Sequence, residues 1–196
     1  MSRRAWMDLG TEVFLRAVDR LDDAQLSGPS ALPGWTRRHV IAHVHGNAEA
    51  LRRLLSWAAT GVEQRMYAGP RQRAEEIESA SALPARTLRT LVAQSAHDLA
   101  DDMDRLPEQA WNALVVTARG RTVPAAEIVW MRTREVTVHA VDLANGVGFA
   151  DLPEEVNAAL IADALDTHAK GGEAAAGLAA WLTGRNAQPP ALGPWL

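Results

Sequence analysis

Cysteine is absent from this chain of 196 residues, and its absence excludes several kinds of functional site at once. Disulfide bonds, cysteine-ligated zinc, iron–sulfur clusters and a cysteine nucleophile are all ruled out. Any metal must therefore be bound by histidine and carboxylate side chains. Any thiol chemistry must use a thiol that is brought in from outside the protein.

Long hydrophobic runs are also missing. No segment approaches the roughly 20 consecutive apolar residues that a membrane-spanning helix needs. The first residues carry positive charge, as in a signal peptide, but Asp8 and Glu12 interrupt the apolar stretch that follows. We therefore expect a cytoplasmic protein that has no contact with membranes.

An excess of basic residues is missing as well. The chain has 20 lysine and arginine residues and 24 acidic residues, which gives a formal net charge of -4. A general nucleic-acid scaffold needs a basic face that neutralises phosphates, so we expect no nucleic-acid partner. The content of 47% hydrophobic and 22% charged residues is instead typical of a soluble globular protein with a real core.

Helical periodicity dominates the pattern of apolar residues. The predicted helices span residues 5–24, 36–60, 84–106, 124–144, 153–168 and 173–182. A crossover over residues 62–82 holds at most a short helix, and two short extended pieces precede the fourth helix. Four long helices with one long crossover predict a mainly all-α fold, with a four-helix bundle over residues 1–148. Residues 149–196 are predicted to form a short C-terminal helical and irregular segment, with Gly171 and Gly172 between its two helices.

Ionisable residues interrupt the apolar stripe of the fourth helix. The stripe passes through Ile128, Met131 and Val138, and the same spacing places Glu135, His139 and Asp142 on it. Glu135 and His139 are one turn apart, so both can reach a single point in front of the helix. Buried carboxylates and imidazoles need partners, and a divalent metal ion satisfies both.

The second helix shows the same anomaly, because His43 and Asn47 lie among its apolar residues. If the two helices face each other, His43, Glu135 and His139 converge as a site that leaves coordination positions open for water or substrate. The alternative is that these are hydrogen-bonded core residues or an exposed pair on one helix. Asp142 either orients a ligand histidine or only lies close to the helix end, and Trp35 could line a pocket.

Three stretches carry a resemblance to a known family. Residues 32–43 (LPGWTRRHVIAH), continuing through 46–51 (GNAEAL), and residues 123–143 (VPAAEIVWMRTREVTVHAVDL) resemble the signature of the mycothiol-dependent maleylpyruvate isomerase family. Residues 180–185 (AWLTGR) and the closing residues 194–196 (PWL) are similar to the end of the same family's C-terminal segment. The resemblance implies a DinB-like metal-binding four-helix bundle, followed here by a reduced version of the family's C-terminal domain.

The resemblance also implies a set of site residues. A divalent metal ion, usually zinc, would be bound by His43, Glu135 and His139. Mycothiol would be the thiol cofactor, and we assign Trp35, Asn47 and Asp142 to cofactor binding. Arg185 matches the basic residue that the family uses near the substrate carboxylates, and arginine suits that role because its planar fork binds both oxygens.

The activity that the resemblance implies is cis–trans isomerisation of a small electrophilic enoyl acid such as maleylpyruvate. The thiolate would add to the double bond, the resulting single bond would rotate, and elimination would return the trans product and the thiol. A mycothiol S-transferase, a non-catalytic metal-binding bundle and a metal-dependent hydrolase are the alternatives. The expected partners are a low-molecular-weight thiol and a small substrate, and the expected state is a monomer or homodimer.

Overall fold

A computed structural model describes residues 1–170, 173–193 and 195 of the chain. The predicted break at Gly171 and Gly172, and the terminal Pro194 and Leu196, lie outside the described residues. The chain divides into two compact units, Met1–Phe149 and Ala150–Leu196. None of the helices in the described residues combines the length and apolar composition that a membrane crossing requires.

The prediction of a mainly α-helical fold is confirmed. The first unit contains α1 (Arg3–Asp19), α2 (Asp23–Leu26), α3 (Arg37–Thr60), α4 (Pro70–Ser81), α5 (Ala85–Arg105), β1 (Leu114–Val116), β2 (Thr122–Pro124) and α6 (Glu127–Asp142). Short 3-10 helices occur at Glu108–Asn112 and Phe149–Asp151. The second unit contains α7 (Glu154–Ala169) and α8 (Glu173–Leu182), which pack against each other.

The four long helices of the first unit form the predicted bundle. Helix α1 packs against α6 and α5, and helix α3 packs against α5 and α6, so each long helix has two neighbours among the other three. Helix α3 contributes to both buried clusters of the core, with Leu51 and Leu54 in one and Val40 and Ile41 in the other. Because α3 and α6 are neighbours, polar residues on their facing sides meet inside the bundle.

The structure differs from the predicted elements at three places, the crossover and the bounds of two helices. The crossover contains a 12-residue helix, α4, with Pro70 in its first turn, where the missing proline N–H has no cost. The fourth long helix begins at Glu127 and not at Pro124, because Pro124 pairs with Leu114 in the antiparallel β1–β2 hairpin. The first helix ends at Asp19, and a separate short helix, α2, follows it.

Helix α1 approaches the site-bearing helix α6 closely at Gly10. A Cβ atom at Gly10 would lie 2.7 Å from Cγ2 of Thr137 and 2.9 Å from Cγ2 of Val136. The Thr137 side chain cannot rotate away freely, because its hydroxyl donates a hydrogen bond to the Thr133 carbonyl at 2.7 Å. Thr137 and Val136 lie between Glu135 and His139, so this contact sets the position of the helix segment that carries both.

Gly10→Ala is therefore expected to destabilise the protein by about 1–3 kcal/mol through overpacking. Gly46→Ala is the matched control, because Gly46 is also inside a helix but a Cβ there would meet nothing within 4 Å. The control should stabilise the protein by about 0.5–1 kcal/mol through helix propensity. Urea unfolding followed by circular dichroism measures both changes, and equal effects of the two substitutions would contradict the close packing of α1 on α6.

Candidate metal centre

His43 of α3 and the Glu135–His139 pair of α6 meet inside the bundle. The Nε2 atom of His43 lies 2.9 Å from Oε2 of Glu135, and the Nε2 atom of His139 lies 3.3 Å from the same oxygen. One ligand atom from each of the three residues falls within 4.8 Å of the others. Two imidazoles and one carboxylate, arranged in this way, form a donor set that suits a divalent ion such as zinc and leaves open positions.

His139 has the surroundings of a metal-binding histidine. Its Nδ1 atom is 2.8 Å from Oδ2 of Asp142, one turn further along α6. Its Nε2 atom is buried and has no hydrogen bond of good geometry to any described residue, although Oε2 of Glu135 lies 3.3 Å away. A carboxylate partner on one ring nitrogen fixes the ring orientation and leaves the other nitrogen for a metal. The residues present therefore fit a metal ion, and the Asp142 carboxylate is within hydrogen-bond distance of the ring nitrogen that faces away from Glu135.

The three side chains differ in their protonation. Burial lowers the pKa of His43, so this imidazole is neutral and need not lose a net proton to serve as a ligand. Burial alone would raise the pKa of Glu135, but the adjacent imidazoles of His139 and His43 hold it well below its usual range. Burial also opposes a charge on His139, yet the neighbouring carboxylates of Asp142 and Glu135 raise its pKa to about 9. Metal binding must therefore displace a proton from His139.

A buried arginine next to the three donors links α6 to α3. Sequence reasoning did not identify it. Arg132 is only 1% exposed and lies one turn before Glu135 on α6. Its guanidinium donates to the Val44 carbonyl at 2.8 Å and to Oδ1 of Asn47 at 2.9 Å. Burial lowers the pKa of Arg132 to about 10, opposed by the charge of Glu135, so the guanidinium remains charged at neutral pH. The Asn47 oxygen, assigned to cofactor binding from the sequence, accepts this hydrogen bond inside the core.

Two further side chains contact His43, and a third interacts with one of these two. The ring of Trp35 packs edge-on against His43 with 5.6 Å between the ring centroids. Arg73 of α4 places Nη2 3.2 Å from Nδ1 of His43, and Tyr67 interacts with Arg73. Sequence reasoning missed Arg73 and Tyr67. The crossover that carries them has no apolar stripe, so its sequence does not indicate which of its side chains point into the bundle.

The neighbouring histidine His39 has a different role. Its Nδ1 atom accepts a hydrogen bond from the Thr36 backbone N–H at 3.2 Å and lies 2.7 Å from the Thr36 hydroxyl. His39 therefore caps the start of α3, which fixes the helix that carries His43.

Arg185 belongs to the C-terminal unit. It lies three residues beyond Leu182, the last residue of α8, is exposed, and donates a hydrogen bond to the Thr183 carbonyl. Its assignment to the substrate carboxylates stays a prediction.

Comparison with known proteins gives the centre a family context. The family model of the mycothiol maleylpyruvate isomerase N-terminal domain matches residues 7–144, which include His43, Glu135 and His139. Two solved structures are similar, the crystal structure of a mycothiol-dependent maleylpyruvate isomerase at 43% identity and that of a histidine-to-alanine mutant at 42%. Each match has a TM-score of 0.84. In both cases the aligned region covers 87% of this chain and 71% of the chain in the solved structure. No curated protein gives a significant match. The chain belongs to the mycothiol-dependent maleylpyruvate isomerase family.

Proposed function

We propose that this protein is a mycothiol-dependent cis–trans isomerase of a small enoyl acid of the maleylpyruvate type. His43, Glu135 and His139 are proposed to bind a divalent metal ion, with zinc as the ion in the cell. The observation that carries the proposal is the convergence of these three donors within 4.8 Å in a member of this family. A cytoplasmic location remains part of the proposal.

The charges in the site favour the binding of a thiolate, which is the nucleophilic form of a thiol. A bound divalent cation supplies Lewis acidity, which lowers the pKa of a thiol. Glu135 contributes the one negative charge among the three donors, and the buried guanidinium of Arg132 offsets it. A thiolate is therefore favoured over a neutral thiol in this site. The chain has no cysteine, so the sulfur must come from a separate thiol, and the family makes mycothiol that thiol in this proposal.

The proposed reaction leaves the thiol unchanged overall. The thiolate sulfur forms a bond to one carbon of the cis double bond, and the electron pair of that bond moves onto the conjugated carbonyl oxygen. The former double bond is then single and rotates. When the electron pair returns, the trans double bond forms again and the carbon–sulfur bond breaks. In an S-transferase, the adduct would instead take up a proton on carbon and leave as a stable thioether.

Trp35 and Arg185 are proposed to act on the two small molecules. The ring of Trp35 lies beside His43 and offers an apolar wall to the thiol. Arg185 is proposed to bind a substrate carboxylate through its planar guanidinium.

The amount of thiol consumed tests the proposed function. The zinc-loaded protein is mixed with a small amount of mycothiol and a large excess of maleylpyruvate, and the olefinic protons are followed by nuclear magnetic resonance. We expect complete conversion to the trans acid with all of the free thiol recovered. Conversion that stops when the thiol is exhausted would show an S-transferase, and no conversion would reject both activities. A sample without mycothiol gives the background rate.

A further inference from the structure

Arg73 is unusual among the arginines of the bundle in the partner of its side chain. It is half-buried on α4, and its Nη2 atom lies 3.2 Å from Nδ1 of His43. Several other arginines of this unit pair with carboxylates or backbone carbonyls, such as Arg52 with Asp102 and Arg37 with the Leu143 carbonyl. Within the described part of the chain, no carboxylate lies at ion-pair distance from Arg73.

The contact between Arg73 and His43 is incompatible with metal binding at Nε2. An arginine N–H can only donate, so Nδ1 of His43 accepts and the ring hydrogen sits on Nε2, directed at Glu135. A neutral histidine that binds a metal through Nε2 carries its hydrogen on Nδ1. That nitrogen then becomes a donor and can no longer accept from Arg73. Metal binding therefore releases the guanidinium of Arg73.

The released guanidinium stands beside the metal ligands without a carboxylate partner. Once the metal has displaced the proton of His139, the two carboxylates Glu135 and Asp142 are balanced by the two arginines Arg132 and Arg73. A divalent ion adds two positive charges, so the loaded centre is suited to two anions. The thiolate is one of them, and a carboxylate of the substrate is the natural second.

We infer that Arg73 binds a carboxylate of the substrate, and that it becomes available for this only when the metal is bound at His43. The identity of the anion rests on the proposed function, whereas the release of Arg73 rests only on its contact with His43. Arginine is suited to the role because its fork binds both carboxylate oxygens and its charge strengthens the hydrogen bonds.

Maleate binding to the zinc-loaded protein tests the inference. Maleate is a small cis dicarboxylate, and without a thiol it cannot turn over, so calorimetric titration measures binding alone. Arg73→Gln should weaken maleate binding by about 10- to 100-fold, the effect of one lost charge-assisted contact. Arg71→Gln is the matched control, because Arg71 is on the same helix with its side chain 91% exposed, and it should bind maleate like the wild type. The wild-type protein should bind maleate more weakly without zinc than with it.

Zinc affinity gives a second readout that does not depend on activity. Competition with a chromogenic chelator should show that Arg73→Gln binds zinc as tightly as the wild type or more tightly, because the competing partner of His43 is gone. Weaker zinc binding by Arg73→Gln would overturn the inference, since Arg73 would then support the ligand. Maleate binding that is unchanged in Arg73→Gln, or absent from the zinc-loaded wild type, would also overturn it.

The inference and the proposed function fail in different ways. If the wild type isomerises maleylpyruvate and Arg73→Gln does so with the same KM, the function stands and the inference is wrong. If Arg73→Gln loses zinc-dependent maleate binding but the wild type shows no isomerisation, Arg73 is an anion-binding residue and the proposed function is wrong.

Discussion

Glu135→Gln is expected to remove both the metal and the activity while the bundle stays folded. Glu135 is the anionic member of the three donors, and an amide oxygen is a much poorer ligand for a divalent ion. The substitution keeps the size of the side chain and an oxygen within reach of Nε2 of His43, so the packing of α3 against α6 should survive. Turnover should fall at least about a thousandfold, because Lewis acidity contributes several kcal/mol.

The experiment combines elemental analysis, circular dichroism and the isomerase assay. Wild-type protein should carry about one zinc ion per chain after loading and dialysis, and Glu135→Gln should carry almost none. His97→Ala is the control, because His97 is an exposed histidine of α5 that has no contact with the centre. A Glu135→Gln protein that retains zinc and activity like the control would remove Glu135 from the metal centre.

Zinc affinity is expected to rise steeply with pH up to about 9 and then to level off. Asp142 and Glu135 raise the pKa of His139, so the metal-free protein holds a proton on this ligand at neutral pH. Zinc must displace that proton, and each pH unit below the pKa lowers the apparent affinity about tenfold. Chelator competition at several pH values measures the slope. Asp142→Asn should shift the plateau to lower pH, because one of the two carboxylates that raise the pKa is gone.

The stability of the metal-free protein should change with pH in the opposite sense. The pKa of His139 is higher in the folded chain, at about 9, than its ordinary value of 6.5. The stabilisation that its charged form provides is therefore complete below about pH 6.5 and is lost as the pH rises towards 9. Glu135 has a lowered pKa, so its contribution is lost only under acidic conditions, outside this range. A metal-free free energy of unfolding that is constant between these pH values would contradict the assignment to His139.

The centre was predictable from the sequence because helical geometry fixes the relation of its residues. Glu135 and His139 are four residues apart on one helix, so their side chains share a face wherever that helix lies. His43 could be added because its apolar neighbours marked the inner face of α3. The prediction also required that the two helices face each other. In the structure, α3 packs against α6.

The surroundings of the centre were not predictable in the same way. Helix α6 is covered by α1 on one side and α3 on another, so its buried surface is wider than one stripe. Met131 and Val138, which the helical spacing predicts to be buried, are half-buried, whereas Arg132 and Thr133 are buried. A fully buried arginine contradicts the usual preference of that residue, and no spacing rule places it inside. Arg73 lies on α4, whose polar sequence gave no indication of the face that meets His43.

The most direct test of the central claim, that the three donors hold a metal ion which binds the thiol, is the spectrum of the cobalt-loaded protein with mycothiol. Cobalt(II) substitutes for zinc in such sites, and a thiolate ligand adds a charge-transfer band in the near ultraviolet. Because the chain has no cysteine, any such band must come from the added thiol. We expect the band to appear and saturate on titration of wild type with mycothiol, and to be absent from Glu135→Gln. A cobalt-loaded wild type whose spectrum does not respond to mycothiol would contradict the thiol-activating role of the centre.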